Sequence, residues 1–262
     1  MGRLHGLANN KQLGYPRLIA HRGLNWAIPE NTCVAFAAAI ALGADEIEFD
    51  IWATKDDELV VCHDSTVNRT SNGCGEIAEM TWQDIKKLDA GSWKGEIWQN
   101  IRFSTFEEIL QLFGHKVIFN IHIKGASDNV ESVCRNGHSF QRQHMEKVIA
   151  LIKKYHCEDW CYIAGDSDIL QLAIDVDDSI ERCSLCGCND YTIVDAAIEY
   201  GCKKLQFLKP YYNADMIEKA HQYGIRCNMF WSDEPEEAKK FLSEGIDSIL
   251  TNRLNLLSDI TR

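Results

Sequence analysis

The first twenty residues, from Met1 to Ala20, lack the apolar core of an export signal. The longest apolar run, residues 33–44, is too short for a bilayer crossing, which takes about 20 residues. Gly6 stands where a myristoylation motif beginning at Gly2 needs Ser or Thr. Positive charge is scarce as well: 27 basic residues face 39 acidic ones, for a formal charge of −12. That balance argues against nucleic acid or an anionic membrane surface as the main partner. An anionic substrate must be drawn in by local cations or a metal instead. No Gly-rich phosphate loop, internal repeat, low-complexity tract or linker breaks the chain. These absences point to one domain, residues 1–262, soluble and cytoplasmic, with no integral membrane segment and nothing that reads out an oligomeric state.

Cysteine is not lacking, but its pattern is. Eleven cysteines are an odd number at irregular spacing, which fits reduced thiols better than a disulfide framework. Cys183, Cys186 and Cys188 are close enough to suggest zinc, yet no second cluster completes a ligand set. They are read as small, buried apolar residues.

What is present is an alternation. Strand-like runs at residues 17–20, 46–53, 117–124, 161–164, 180–184, 204–208, 226–231 and 247–251 number eight. Helical stretches lie between them at 32–42, 106–113, 145–155, 168–176, 191–200, 214–223 and 235–243, with a last one from 253. Asn31 or Thr32 caps the first helix. Strands and helices in this order predict an α/β fold, a (β/α)₈ TIM barrel. The competing open, doubly wound sheet is disfavoured by the missing Gly-rich loop. Residues 58–104 break the regularity after the second strand. Their short strand at 59–61 and helical piece at 82–88 predict a small insertion over the barrel mouth.

Active sites on such barrels sit at the C-terminal strand ends. His21 and Arg22 end the first strand, Glu48 and Asp50 the second, His122 and Lys124 the third. Residues two apart on a strand share a face, so Glu48 and Asp50 point together, as do Asn120, His122 and Lys124. Paired carboxylates repel unless a cation lies between them, and oxygen donors suit Mg²⁺, Ca²⁺ or Mn²⁺. His21 and His63 can exchange protons near neutrality, while Arg22 and Lys124 can hold a phosphate. Each residue also has a plainer reading: a core histidine, a solvated edge, or an Arg22–Glu30 pair that stiffens a loop. Those readings do not explain why so many polar residues gather at neighbouring strand ends, where each unpaired buried charge costs several kcal/mol, on the order of a whole domain's margin.

The runs His21-Arg22-Gly23 and Pro29-Glu30-Asn31-Thr32 resemble the opening signature of glycerophosphodiester phosphodiesterases. Glu48-Phe49-Asp50, Thr54-Lys55-Asp56 and Val60-Val61-Cys62-His63-Asp64 follow at that family's spacing. Arg69-Thr70, Gly73, Gly75, Leu88-Asp89-Ala90-Gly91 and Thr105-Phe106-Glu107-Glu108 continue the pattern, and Trp231 with the stretch from Gly245 to Asn252 closes it. The resemblance implies metal-dependent hydrolysis of a glycerophosphodiester to glycerol 3-phosphate and an alcohol. It implies His21 and His63 as the acid–base pair, and Glu48 and Asp50 as ligands to one divalent ion. Arg22 and Lys124 would hold the phosphate and Trp231 would line the pocket.

Four positions depart from the family. His122 replaces a metal-binding Glu; Ser104 replaces a Pro; Ser232-Asp233 replaces Thr-Val. Imidazole is a legitimate ligand, so His122 reads as a third ligand that admits Zn²⁺ beside Mn²⁺, as the mark of a different substrate, or as a weakened site. Two alternatives to the hydrolase stay open: phospholipase D-like cleavage of lysophospholipids, and a non-catalytic protein that binds glycerophosphodiesters. Trp26, Trp52, Trp93 and Trp98 are candidates for the exposed apolar rim that lysophospholipid cleavage would favour.

Overall fold

A computed structural model describes residues 8–124 and 140–260. Eight parallel strands close on themselves. They are β1 (Arg17–His21), β2 (Glu46–Ala53), β4 (Ile118–Ile123), β5 (Cys161–Gly165), β6 (Arg182–Ser184), β7 (Lys204–Leu208), β8 (Arg226–Phe230) and β9 (Ser248–Thr251). The order around the sheet is β1-β9-β8-β7-β6-β5-β4-β2, and β1 also pairs with β2. That last pairing shuts the barrel and excludes the doubly wound alternative. The predicted strands are all present; their bounds shift by at most two residues, and β1 extends to include His21.

The remaining strand, β3 (Leu59–Val61), runs antiparallel to the outer end of β2, with Ile51 opposite Val61. It opens the predicted insertion. A core of its own holds that insertion down, with Trp52, Val60, Cys62, Val67, Ile77, Ile85, Ala90 and Phe103 buried together.

Local chemistry sets the helix starts. Thr32 caps α1 (Cys33–Ala41) by accepting from the Ala35 amide. Thr105 and Glu108 form a reciprocal capping box on α3 (Phe106–Phe113). Asn213 caps α7 (Ala214–Gln222), and Pro235 occupies the first turn of α8 (Pro235–Ser243). The helix predicted at 145–155 begins earlier, as α4 (Arg142–Lys154), where the Gln141 amide donates to His144 Nδ1 at 3.0 Å.

β2 shows how one strand serves two layers. Its sequence EIEFDIWA alternates apolar and acidic residues. Ile47, Phe49 and Ile51 face the helices, where Phe49 packs against Phe36, Phe106 and Phe119. Glu46, Glu48 and Asp50 take the opposite face, along the barrel axis. At the N-terminal end Glu46 accepts from Arg17 Nη1 at 2.8 Å and from the Tyr162 hydroxyl at 2.5 Å, and it pairs with Lys204 Nζ at 3.2 Å. Tyr15 lies under the Arg17 guanidinium, 4.1 Å from its ring centre, so this end of the barrel is plugged by a closed ionic cluster.

Candidate active site

The predicted polar residues converge at the other end. His21, Arg22, Glu48, Asp50, His63, His122 and Lys124 line one cavity of about 320 Å³, together with Asp166, Cys188, Gln206 and Phe230. Strand register brings the first of them together: His21 lies opposite Glu48, and Asp50 opposite His122. The turn after β1 is cramped. Gly23 has a positive φ, and a Cβ there would meet Ala35 and Phe36 at 2.8 Å. Arg22 and Asn31, which are not glycines, also have positive φ, at 52° and 56°. Such backbone costs on the order of 1–3 kcal/mol per residue and is held only by surrounding bonds. Here those bonds run to the site: the Arg22 amide donates to the Glu48 carbonyl at 2.8 Å, and Asn31 Nδ2 donates to Asp50 Oδ2 at 2.9 Å.

The proton positions on both histidines follow from their partners. Asp233 can only accept, so Asn252 turns its Nδ2 to Asp233 Oδ2 at 3.0 Å and its Oδ1 toward His21. That amide oxygen also only accepts, at 2.7 Å from His21 Nδ1. The proton therefore resides on Nδ1, leaving the Nε2 lone pair. Burial, with the Arg22 guanidinium close by, lowers the His21 imidazole to about 4, so it is neutral near pH 7. His63 follows the same logic: its Nδ1 donates to Asp64 Oδ1 at 2.7 Å. Arg69 clamps Asp64 with Nε at 2.7 Å and Nη2 at 2.9 Å, then reaches Glu30 at 2.8 Å. Glu30 in turn accepts from Arg22 Nη1 at 2.8 Å. Burial disfavours the Asp64 charge, but the bonds from His63 and Arg69 hold that carboxyl well below its ordinary value. The predicted Arg22–Glu30 pair is thus present, and it belongs to the site rather than competing with it.

The carboxylate pair is unevenly served. Burial, then the Asp50 charge, pushes the Glu48 carboxyl up to about 7. Burial also opposes ionisation of Asp50, but Lys124 and the His122 ring outweigh it and keep Asp50 well below its ordinary value. Lys124 Nζ is 3.1 Å and His122 Nδ1 is 3.2 Å from Asp50 Oδ1, yet that buried oxygen closes no well-aligned hydrogen bond. One donor atom each from Glu48, Asp50 and His122 lie within 4.8 Å of one another. Two carboxylate oxygens and an imidazole nitrogen, one of the oxygens buried without an aligned hydrogen bond, fit a divalent cation.

The rim differs from expectation in detail. Trp231 is half-exposed and outside the cavity lining, with Phe230 lining it instead and packing edge-on to His21 at 5.3 Å. Trp26 and Trp93 are exposed as anticipated. Trp52 is buried and anchors the His63 carbonyl at 3.0 Å, while Trp98 packs against the core. The cysteine triplet disperses: Cys183 is buried inside the barrel beside Tyr162, and Cys188 lines the cavity. Among the described residues the three cysteines join no group with metal-ligand spacing. Sequence reasoning missed Asn252, Asp233, Asp64 and Arg69 as the groups that orient the histidines. Each was visible only as a motif letter or as a departure from one.

Comparison with known proteins agrees with this fold. Residues 21–256 match the model of the glycerophosphoryl diester phosphodiesterase family. A glycerophosphodiester phosphodiesterase from Caldanaerobacter subterraneus subsp. tengcongensis is 32% identical over 254 residues, covering 94% of this chain and 97% of that one. Among solved structures, an Oleispira antarctica phosphodiesterase, determined with the product sn-glycerol-3-phosphate, superposes with a TM-score of 0.80 at 21% identity. It covers 94% of this chain and 97% of its own. A glycerophosphodiester phosphodiesterase from Agrobacterium tumefaciens superposes with a TM-score of 0.77 at 22% identity, over 92% and 98% of the two chains. With eight strands closed around paired histidines and carboxylates, and with the family pattern matched from His21 to Leu256, this chain belongs to the glycerophosphoryl diester phosphodiesterase family and is a phosphoric diester hydrolase.

Proposed function

We propose that the protein hydrolyses glycerophosphodiesters to glycerol 3-phosphate and an alcohol, using His21 and His63 for proton transfer beside one divalent ion held by Glu48, Asp50 and His122. The observation that carries this reading is the pair of oriented rings. Each histidine commits Nδ1–H to an oxygen that only accepts, so each has Nε2 left for chemistry in one cavity. His21, neutral because burial lowers it to about 4, takes a proton from the attacking hydroxyl. His63 acts in its imidazolium form, which the Asp64 carboxylate stabilises, and delivers its Nε2 proton to the leaving alkoxide. Arg22 and Lys124 face the same space and hold the phosphoryl oxygens. Trp231 contacts the substrate's outer end from the rim. Bound at the carboxylates, a divalent cation supplies further positive charge against the phosphoryl group. The oxygen pair suits Mg²⁺, Ca²⁺ or Mn²⁺, and the His122 nitrogen admits Zn²⁺.

The described cysteines are free thiols, which supports a cytoplasmic location. No helix among the described residues is long and apolar enough to cross a membrane. A second substrate class, lysophospholipids cleaved in the manner of phospholipase D, is favoured by the exposed Trp26 and Trp93 at the mouth. The non-catalytic reading is disfavoured, because both proton-transfer groups are present and aimed.

Release of glycerol 3-phosphate from glycerophosphocholine, measured with Mg²⁺, Ca²⁺, Mn²⁺ and Zn²⁺, tests the reading. Turnover with at least one metal, weakened in Glu48→Gln and Asp50→Asn and partly restored by excess metal, is expected. No release with any of the four overturns it.

A further inference from the structure

Three tryptophans are exposed, Trp26 at 46%, Trp93 at 37% and Trp231 at 39%, whereas Trp52, Trp82, Trp98 and Trp160 are buried or half-buried. All three follow C-terminal strand ends: Trp26 comes after β1, Trp93 lies in the insertion after β2, and Trp231 comes after β8. Each has a cation over its ring. Arg253 is 4.6 Å from the Trp26 centroid, Lys94 is 5.3 Å from that of Trp93, and Lys209 is 5.4 Å from that of Trp231. Arg253 itself follows β9. The sheet order β8-β9-β1-β2 therefore places the three pairs along one unbroken arc of the mouth. Lys94 Nζ bonds the Asn25 carbonyl, which ties the Trp93 turn to the Trp26 loop. Ile97, in the short turn Glu96–Trp98 of the same insertion, is 84% exposed.

We infer that this arc docks the mouth onto a zwitterionic phosphocholine-lipid surface. Indole rings settle at the boundary between headgroups and acyl chains, where one side is apolar and the other wet. A cation beside each ring meets the lipid phosphate at the same depth, and its alkyl stem covers apolar surface as it does so. Ile97, in the same insertion as Trp93, adds an apolar side chain free to enter the acyl region. The arrangement does not suit a protein partner. Protein interfaces centre on a compact desolvated patch with shape complementarity, whereas these anchors are spaced along an opening. A fluid lipid surface meets separated anchors without needing a matched shape.

Charge selects the kind of lipid. Lys209 is shared with Glu237 at 3.1 Å, Glu96 adjoins Ile97, and the whole chain carries −12. A near-neutral arc on an acidic protein fits a zwitterionic layer, and an anionic one would repel it. Docking would place the cavity directly over phosphodiester headgroups. It does not depend on the proposed hydrolysis, because partition is measured without turnover.

The test is co-sedimentation of the full chain with phosphatidylcholine vesicles, without added metal or substrate, alongside the tryptophan emission maximum. The parent is expected to partition, with a blue shift. Ile97→Asp, at a position too exposed to affect folding, is expected to lower the partition coefficient at least about fivefold, since it removes the apolar side chain that enters the lipid and adds charge. Trp26→Ser is expected to do the same, with hydrolysis of soluble glycerophosphocholine unchanged in both. A parent that does not sediment with phosphatidylcholine overturns the inference. So does one that binds only phosphatidylserine vesicles, or an Ile97→Asp variant that binds like the parent.

Discussion

Glu46 and Glu48 are two residues apart on β2, face the same barrel axis and are almost wholly buried, yet their carboxyls behave oppositely. Burial alone would raise both. At the lower end Lys204, Arg17 and the Tyr162 hydroxyl overcome it and hold Glu46 below its ordinary value of 4.5. At the upper end the adjacent Asp50 adds to burial, and Glu48 rises to about 7. One carboxylate below has two cations of its own. Two carboxylates above share Lys124 and an Arg22 already committed to Glu30. A barrel end whose charges close on themselves is a plug. One left short of positive charge is where the proposed metal ion would supply it.

The largest effect that sharpens this contrast is catalytic. His21→Ala and His63→Ala are each expected to lower turnover by at least about a hundredfold, the low end for general acid–base groups, with thermal stability close to the parent's. Parent-like turnover in either variant at saturating metal removes that histidine from the chemistry.

The next effect is on stability and should differ between the two ends. Lys204→Met leaves the plug with a poorly compensated buried carboxylate and is expected to cost about 3–5 kcal/mol in urea unfolding. Lys124→Met removes a cation from an end already short of them. The carboxylate it strands, Asp50, lines an open cavity that water can enter, so the loss of stability should be smaller than for Lys204→Met while activity falls sharply. Equal losses of stability for the two would break the comparison.

Smaller, and confined to the upper end, is a change of metal preference. His122→Glu adds an oxygen donor beside Glu48 and Asp50, so Ca²⁺ and Mg²⁺ should gain on Mn²⁺ and Zn²⁺ in the activity ranking. If His122 instead donates a hydrogen bond to phosphate or a carboxylate, activity falls with every metal and the order holds. Ranking four metals for parent and variant decides between them.

The smallest effect is the pH response of the plug. Glu46 has a folded-state value depressed below its unfolded one. Its contribution to stability is present above about pH 4.5 and is lost as the pH falls through the folded value. Glu46→Gln should therefore lose less melting temperature than the parent on acidification below pH 4.5. Identical acid limbs would show that Glu46 contributes nothing there.

The fold was legible because alternating strands and helices admit few arrangements, and the strand count favoured closure. The site was legible where neighbours along a strand share a face, as Glu48 does with Asp50, and where a motif carries the residue, as His63-Asp64 does. The orienting groups were not. Asn252 reaches His21 across 231 positions of sequence, and only because Asp233, a departure from the family pattern, turns its amide. Arg17, Glu46 and Lys204 carry types that ordinarily mark a surface, so the plug left no sign in composition.

By itself, then, the order of residues determined the strand and helix periods, the caps and which polar side chains end neighbouring strands, because these depend on neighbours a few positions apart. Tertiary structure alone decided which charges close on each other and which are left unbalanced. It also decided which tryptophans reach water and which nitrogen of each histidine carries the proton. Those outcomes depend on partners brought together by barrel closure, where burial multiplies the cost of every unmatched charge.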